Sequence, residues 1–418
     1  MKKASILFAA LLIVSLESHA QNSDDSQVLH ALPFLLINPD LQTFGMGGAG
    51  VSVPNFYSNA GFYHNPALLA QNEKFLNINL SYLPWLRKQV PDINLANLAA
   101  AWGFKKNHAL GFNLTYFSLG DITFTDNVGN VIGNFRPNEF AISLKYSAIL
   151  SDNFNIGVGA KYINSNLTGG ISVEGAASKA ANALALDLGF DYRDEMGIND
   201  KHKLRWSVGF ALTNMGNKVS YISTSQKDFI PAQIKLGGSV TLRKLINDNH
   251  YMAFDLCYQA DKLLAPTSPR YARDSVGNLI PDGNGGYAVE SGMNPNVSEV
   301  QGMLQSFYDA PGGGKEELNE ITHRFGFAFR DNYRNEIYYS VRLGYSYQNP
   351  SKRSAVTYSP DANETYFTLG AGGGYKKFYL DLFYLLPTTQ RHPLENTLGF
   401  SLGFKMNFED KKKPFKEN

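Results

Sequence analysis

The 418-residue chain has one cysteine, Cys257. A single thiol leaves no disulfide framework and no cysteine-based zinc site. Charge is also scarce, with 18% of residues Asp, Glu, Lys or Arg, below the roughly one quarter usual in soluble chains. What charge there is balances, 38 basic against 37 acidic for a net +1. A nucleic-acid partner is therefore not expected, because neutralising phosphates needs a concentrated basic surface. Long apolar runs are missing after the first twenty residues, so no membrane-spanning helix is expected. What is abundant is aromatic side chains (23 Tyr, 28 Phe) and glycine (38). The combination suggests a chain whose outside is partly not in water.

The first twenty residues read as an export signal. Lys2 and Lys3 precede an apolar run from Ser5 to Leu16, and Ser18-His19-Ala20 places small residues where a signal peptidase cuts. The residue directly after that point is Gln21 rather than a cysteine, which argues against a lipoprotein anchor. The mature chain is expected to begin near Gln21.

From about residue 75 the apolar period is two. Leu398-Gly399-Phe400-Ser401-Leu402-Gly403-Phe404 is the cleanest case, and Leu184 to Tyr192 is another. About fourteen such segments are predicted, near 75–84, 92–103, 108–117, 139–149, 155–164, 183–193, 204–213, 231–242, 250–260, 322–331, 335–347, 364–374, 377–386 and 395–408. A length of about ten residues is what a tilted strand needs to cross a bilayer. The side on which charges fall separates a soluble sandwich from a membrane barrel. Lys145, Lys161, Asp187, Asp191, Arg205, Lys235, Asp255, Arg330, Arg342, Asp381 and Lys405 all fall opposite the large apolar residues. A charge facing mid-bilayer would cost roughly 2–4 kcal/mol, which accounts for its absence from the apolar column. Open strand edges cannot persist in lipid, so the sheet is expected to close. The fold class is thus all-β: a fourteen-stranded antiparallel transmembrane barrel spanning 75–408, in an outer membrane.

Connections alternate in length. Those after the second, fourth, sixth, eighth, tenth and twelfth segments are short, those after the third, fifth, seventh, ninth and eleventh are long, and those after the first and thirteenth are intermediate. Outer-membrane barrels carry short periplasmic turns and long external loops, so both termini are expected in the periplasm. The longest loop, 261–321, is rich in Gly, Pro, Asn and Asp. Loops of that length are usually functional. The charged tail 409–418 is expected in the periplasm.

Residues 21–74 comprise a lead-in and a segment, 32–72, that does not alternate and is broken by Pro and Gly. It is too apolar to hang in water, and its economical place is inside the barrel as a plug. Here Phe34-Leu35-Leu36-Ile37-Asn38-Pro39-Asp40 precedes Gly45-Met46-Gly47, Ala49-Gly50-Val51 and then Asn65-Pro66-Ala67. Ser81-Tyr82-Leu83-Pro84-Trp85-Leu86-Arg87 and Asp92-Ile93-Asn94-Leu95 follow. These stretches resemble the N-terminal signature of the PorV family, outer-membrane components of the Bacteroidetes type IX secretion system within the wider FadL-like barrel group. The resemblance is specific over about 33–103 and only architectural beyond. The family more often carries Arg-Ala-Gly-Gly before the Met and Asp after Met-Gly, whereas Gln42-Thr43-Phe44 and Gly48 stand here.

The resemblance implies a non-enzymatic role without cofactor. The chain would bind the C-terminal signal domain of secreted cargo beside a large translocon and pass it to a sortase-type attachment subunit. Tyr271, Arg273, Tyr287 and Tyr308 would offer contacts from the long loop. Trp85 and Arg87, just after the first strand, read as an interfacial aromatic and a headgroup contact, or as a partner contact. Within the plug, Asp40 and Asn65, each beside a proline (Pro39, Pro66), read as turn formers. Gly45 and Gly47 read as tight-turn positions.

The remaining motifs carry little chemistry. His30, His64, His108, His202, His250, His323 and His392 show no metal-pair spacing, and His108, His202 and His250 fall at short turns. Gly45-Met46-Gly47-Gly48-Ala49-Gly50 spells a dinucleotide fingerprint but lacks the surrounding βαβ unit. Pro311-Gly312-Gly313-Gly314-Lys315 lacks phosphate-loop spacing, and Asp126 to Asn130 lacks a calcium-loop pattern. The competing function is a FadL-type channel taking up hydrophobic small molecules. It would need an apolar pocket and an opening in the wall, and the polar lumen face disfavours it.

Overall fold

The structure is a computed structural model describing residues 28, 30–54, 59–70, 75–125, 128–170, 178–222, 227–283, 286–333, 336–349, 365–389 and 392–408. The export signal 1–20, the tail 409–418, and Asp126 and Asn127 lie outside the described residues.

Fourteen strands form one closed antiparallel barrel. In chain order they are β1 (Phe75–Pro84), β2 (Ile93–Lys105), β3 (His108–Leu119), β4 (Asn138–Ile149), β5 (Phe154–Asn166), β6 (Ala181–Asn199) and β7 (His202–Gly216). Then come β8 (Gln233–Asn247), β9 (His250–Leu263), β10 (Thr322–Tyr333), β11 (Ile337–Tyr347), β12 (Tyr366–Tyr375), β13 (Phe378–Pro387) and β14 (Leu398–Asn407). Each strand pairs with its sequence neighbours. β14 closes on β1 through a register running from Phe75↔Asn407 to Tyr82↔Phe400. All fourteen predicted segments coincide with strands. The main departure is β6, which continues to Asn199 rather than ending near 193.

Alternation decides which side each residue faces. On β6, Leu184 and Leu186 are exposed, while Ala183, Ala185 and Asp187 are buried. The same holds on β1, with Ile78 and Leu80 outside and Asn77, Asn79 and Ser81 inside. Lys145, Asp187, Asp191, Lys235, Asp255, Arg330, Arg342 and Asp381 are all buried on the inner side. The outer columns are aliphatic and Phe-rich at mid-height. Aromatics stand at both ends: Tyr82, Tyr116, Tyr162 and Tyr258 toward the loops, and Trp102, Tyr146, Tyr192 and Tyr339 toward the short turns. Paired aromatic girdles around an apolar band mark a barrel held in a bilayer. No helix of the described residues is long and apolar enough to cross a membrane.

Short turns (106–107, 150–153, 200–201, 248–249 and 376–377 among them) occupy one end and the longer connections the other. Both termini are expected at the short-turn end and lie outside the described residues. β14 does finish there. The first described N-terminal residues lie at the other end: Val28 bridges Thr267 and the Ala31 N–H bonds Phe229 O, both in long loops. The chain then passes among the inward-facing side chains before entering β1 at the short-turn end. A segment threading a lumen must start at the end opposite to where it finishes.

Candidate functional site

The inner segment is built from short turns capped by its own side chains. Pro33–Leu36 forms a 3-10 turn. Asp40 caps helix α1 (Leu41–Phe44), accepting from the Gln42 N–H at 3.1 Å and the Thr43 hydroxyl at 2.8 Å. Asn65 caps the 3-10 turn Pro66–Leu69 by accepting from the Ala67 N–H at 3.0 Å. Its amide also donates to Val51 O (2.8 Å) and to Phe190 O on β6 (2.9 Å). Proline at the first turn position has no N–H to lose.

The barrel wall grips this segment on many sides. The Ser81 hydroxyl donates to Pro39 O at 2.9 Å, and the Gly47 N–H donates to Thr368 Oγ1 at 2.9 Å. Gln259 Oε1 accepts from the N–H groups of Gly50 (2.8 Å) and Val51 (2.6 Å). The Ser52 hydroxyl donates to Asp191 (2.6 Å), and the Ser147 hydroxyl to Ala67 O (3.0 Å). The wall is glycine where segment and strand approach most closely. A Cβ at Gly344 would lie 1.8 Å from Gly47 N, one at Gly157 2.3 Å from Pro66 C, and one at Gly189 2.0 Å from Asn65 Oδ1. Gly45 likewise lies against Gly370. Met46 is fully buried beside Cys257 and Ala328.

Of the residues that depart from the family pattern, Gln42 and Phe44 contact the wall and Thr43 contacts the segment itself. Gln42 donates to Asp381 Oδ2 at 2.9 Å. Thr43 is buried and lies 3.0 Å from His64 Nε2. Phe44 stacks on Phe383 with centroids 4.0 Å apart.

Charges inside are paired across strands: Lys145–Asp187 (2.9 Å), Arg330–Asp255 (2.7 Å), Arg342–Asp381 (2.6 Å) and Arg324–Asp261 (2.6 Å). Losing one member of such a pair leaves an uncompensated buried charge. Two cavities, of about 20 and 30 Å³, lie between segment and wall, and both are edged by Gln233, Asp261 and Arg324. Each has room for a water or two.

Trp85 is corrected by the structure. It is 1% exposed and packs in the apolar cluster with Leu35, Leu83 and Leu394, away from the headgroups. The reason is parity: Trp85 continues the inward column of β1 through Asn77, Asn79, Ser81 and Leu83, and the chain turns at Leu86 (φ 52°) only after it. Arg87 beside it is exposed.

The long loop between β9 and β10 folds into a cap. Lys262 pairs with Glu317 at 2.9 Å and with Glu320. The Thr267 N–H donates to Asp309 at 3.2 Å. Burial and the nearby Glu317 and Glu320 push the Asp309 carboxyl up to about 6, against the Thr267 bond and Lys262. Tyr271 and Tyr287 pack edge to face at 5.9 Å, Arg273 donates to Gly277 O at 2.7 Å, and Tyr308 is 62% exposed. The cap also holds a feature that the sequence reading missed. On helix α2 (Glu299–Gln305) and the turn after it, Val300, Leu304, Phe307 and Tyr308 are exposed at helical spacing. Gly302 and Gln305 hold the opposite face, Gly302 against the Phe229 ring and Gln305 bonded to Asn294 O at 3.0 Å.

The histidines stay apart. His108, His202 and His250 begin strands at the short turns. His323 lies 2.9 Å from the Tyr258 hydroxyl, and His392 accepts from the Leu394 N–H at 3.1 Å. Among the described residues no group of three His, Cys, Asp or Glu side chains could hold a metal.

A closed fourteen-stranded barrel, girdled outside and holding its own N-terminal segment inside, defines an integral outer-membrane β-barrel protein. The chain belongs to the PorV family: the family model described as "Type IX secretion system protein PorV" matches residues 20–270. No curated protein matches in sequence. Among solved structures, the Pseudomonas putida toluene transporter TodX is 12% identical, with 88% of this chain and 98% of that chain covered and a TM-score of 0.44. A Pseudomonas aeruginosa FadL homologue is 11% identical, with 91% and 100% covered and a TM-score of 0.38. CdiB from Acinetobacter baumannii is 12% identical, with 80% and 60% covered and a TM-score of 0.40.

Proposed function

We propose that this chain works at the cell surface as the type IX component that receives cargo. The long-loop end faces outward and binds the C-terminal signal domain of proteins leaving the translocon. From there the cargo passes to a sortase-type subunit. The barrel acts as a plugged, lipid-embedded post rather than as a pore or an enzyme. One observation carries this reading: the lumen is filled by residues 32–54 and 59–70, while the cap turns the apolar stripe Val300, Leu304, Phe307 and Tyr308 toward water. Binding energy is therefore available outside the barrel, where exposed aromatic and aliphatic anchors commonly dominate an interface. Uptake of hydrophobic molecules would need a ligand-sized apolar space, and such pockets run to roughly 300–1,000 Å³.

The test is a deletion strain complemented with Leu304→Asp combined with Tyr308→Ala. The deletion should release many surface-attached proteins into the medium. The double variant should reproduce that loss while the barrel reaches the outer membrane in normal amount. Retained surface proteins with lost growth on a hydrocarbon would replace this reading by the channel.

A further inference from the structure

At the short-turn end the sheet does not stop level. β5 makes its last pair with β6 at Phe154↔Tyr192, yet β6 runs on through Asn199. β7 and β8 keep pace with it, through Met196↔Leu204, Leu242↔Leu204 and Lys244↔His202. The stagger of a tilted barrel sets off neighbouring strands by about a residue each. Here 193–199 overrun the neighbour, roughly 23 Å of strand at about 3.3 Å per residue.

Among the described residues, the overrun leaves one edge of the sheet open. The Arg193 N–H donates to Asn153 O at 2.8 Å, and the Asn153 amide donates back to Arg193 O at 2.8 Å. These bonds fix the parity: the backbone groups of Arg193, and hence of Glu195 and Gly197, point toward the missing neighbour. The Glu195 N–H is met by the carboxylate of Asp194 at 2.8 Å. Residues 194–200 are all exposed. An open edge of this kind cannot sit in hydrocarbon, so the extension stands in water below the bilayer.

Its two faces differ. Met196 (50% exposed) and Ile198 (56% exposed) continue, past Asp194, the lipid-facing column that runs through Leu184, Leu186 and Tyr192. On the other face Glu195 is shared between Lys203 (3.0 Å) and Arg205 (2.7 Å), leaving that face net positive.

We propose that the open edge of β6 at 194–199 is a docking site for an extended segment of a partner protein, which adds to the barrel sheet as an antiparallel strand. Backbone ladder bonds would supply affinity, and alternate side chains the specificity. The face chemistry defines the occupant. Alternate residues are apolar, to cover Met196 and Ile198, and those between are acidic, to reach Lys203 across Gly197, its cross-strand neighbour on β6. Because its apolar side is flush with the lipid-facing wall, the partner lies at the membrane surface. This edge is at the opposite end from the cargo loops, so either proposal can fail without the other.

The experiment uses the full mature protein in micelles, with a labelled ten-residue peptide alternating valine and glutamate and a scrambled peptide of equal composition. The alternating peptide should bind at least tenfold tighter than the scrambled one. Amide exchange should slow at Glu195 and Gly197 but not at Asp194 or Met196. A Cβ at Gly197 would meet nothing within 4 Å, so Gly197→Pro removes the outward donor and should weaken binding at least tenfold. Ile198→Lys should do the same without touching the backbone. Heat-modifiable gel migration checks that both variants keep the barrel. Equal binding of the two peptides, protection at other amides, or two folded variants that bind normally would overturn the proposal. So would a nitroxide at position 198 reporting oxygen access typical of lipid.

Discussion

Gly344 lies on the inner side of β11 where the inner segment comes closest, and Gly344→Val tests whether the lumen is held shut by shape. A Cβ there would sit 1.8 Å from Gly47 N and 2.3 Å from Met46 C, both backbone atoms that no rotamer change can move aside. Overpacking of a tight interior costs about 1–3 kcal/mol. Pushing Gly47 away also breaks its bond to Thr368, worth about 1 kcal/mol net. Together these amount to roughly 2–4 kcal/mol, borne by the contact between segment and wall. The lipid face is untouched, because Leu343 and Tyr345 carry it, so the barrel should still fold and insert. Amide exchange across 44–52 should speed up by one to two orders of magnitude, and ionic conductance in planar bilayers should rise. Gly197→Ala, where added bulk meets nothing, serves as the control. Unchanged exchange across 44–52 in a folded Gly344→Val barrel would refute the argument from close approach.

Three further outcomes follow from the same contacts. Arg342→Met strands Asp381 in the lumen and should destabilise the barrel by about 3–5 kcal/mol, whereas Arg342→Met with Asp381→Leu should recover most of that; urea midpoints in lipid vesicles decide it. In the cap, the Asp309 carboxyl titrates near 6, above its ordinary value of 3.8. The folded cap therefore binds the proton more tightly than the open one and gains stability as pH falls from about 7.5 to about 5. Amide exchange over 264–321, corrected for intrinsic rates, should be slower at the acid end of that window, and Asp309→Asn should flatten the dependence; faster exchange there would reverse the sign. Lys262→Met removes the cation between Glu317 and Glu320 and should loosen the cap at neutral pH while the strands stay protected.

What the sequence discloses tracks how many surroundings a residue can have. Outward residues meet hydrocarbon alone, so Leu184, Leu186, Phe400 and Leu402 obey a strict period of two, and every strand can be placed from it. Inward residues meet whatever part of the chain happens to lie opposite. Their pattern shows only as crowding: glycine at 157, 189 and 344, and paired charges whose partners lie on other strands. Which glycine faces which turn of the segment follows from register, which a single strand does not encode. Trp85 misleads because a tryptophan at a strand end usually marks an interface, whereas its parity places it in the inward column with Asn79, Ser81 and Leu83. The end of β6 escapes because the apolar column breaks at Asp194 once the strand leaves lipid. The stripe on α2 is hidden for a similar reason, since seven helical residues in a loop rich in Gly and Pro make barely two turns of pattern. These residues share a physical setting: each lies where the chain crosses from one surrounding to another. Partner surfaces outside the bilayer must also lie there, because lumen residues are committed to the chain itself. The cap stripe and the open edge of β6 are two such places, at opposite ends of one rigid cylinder.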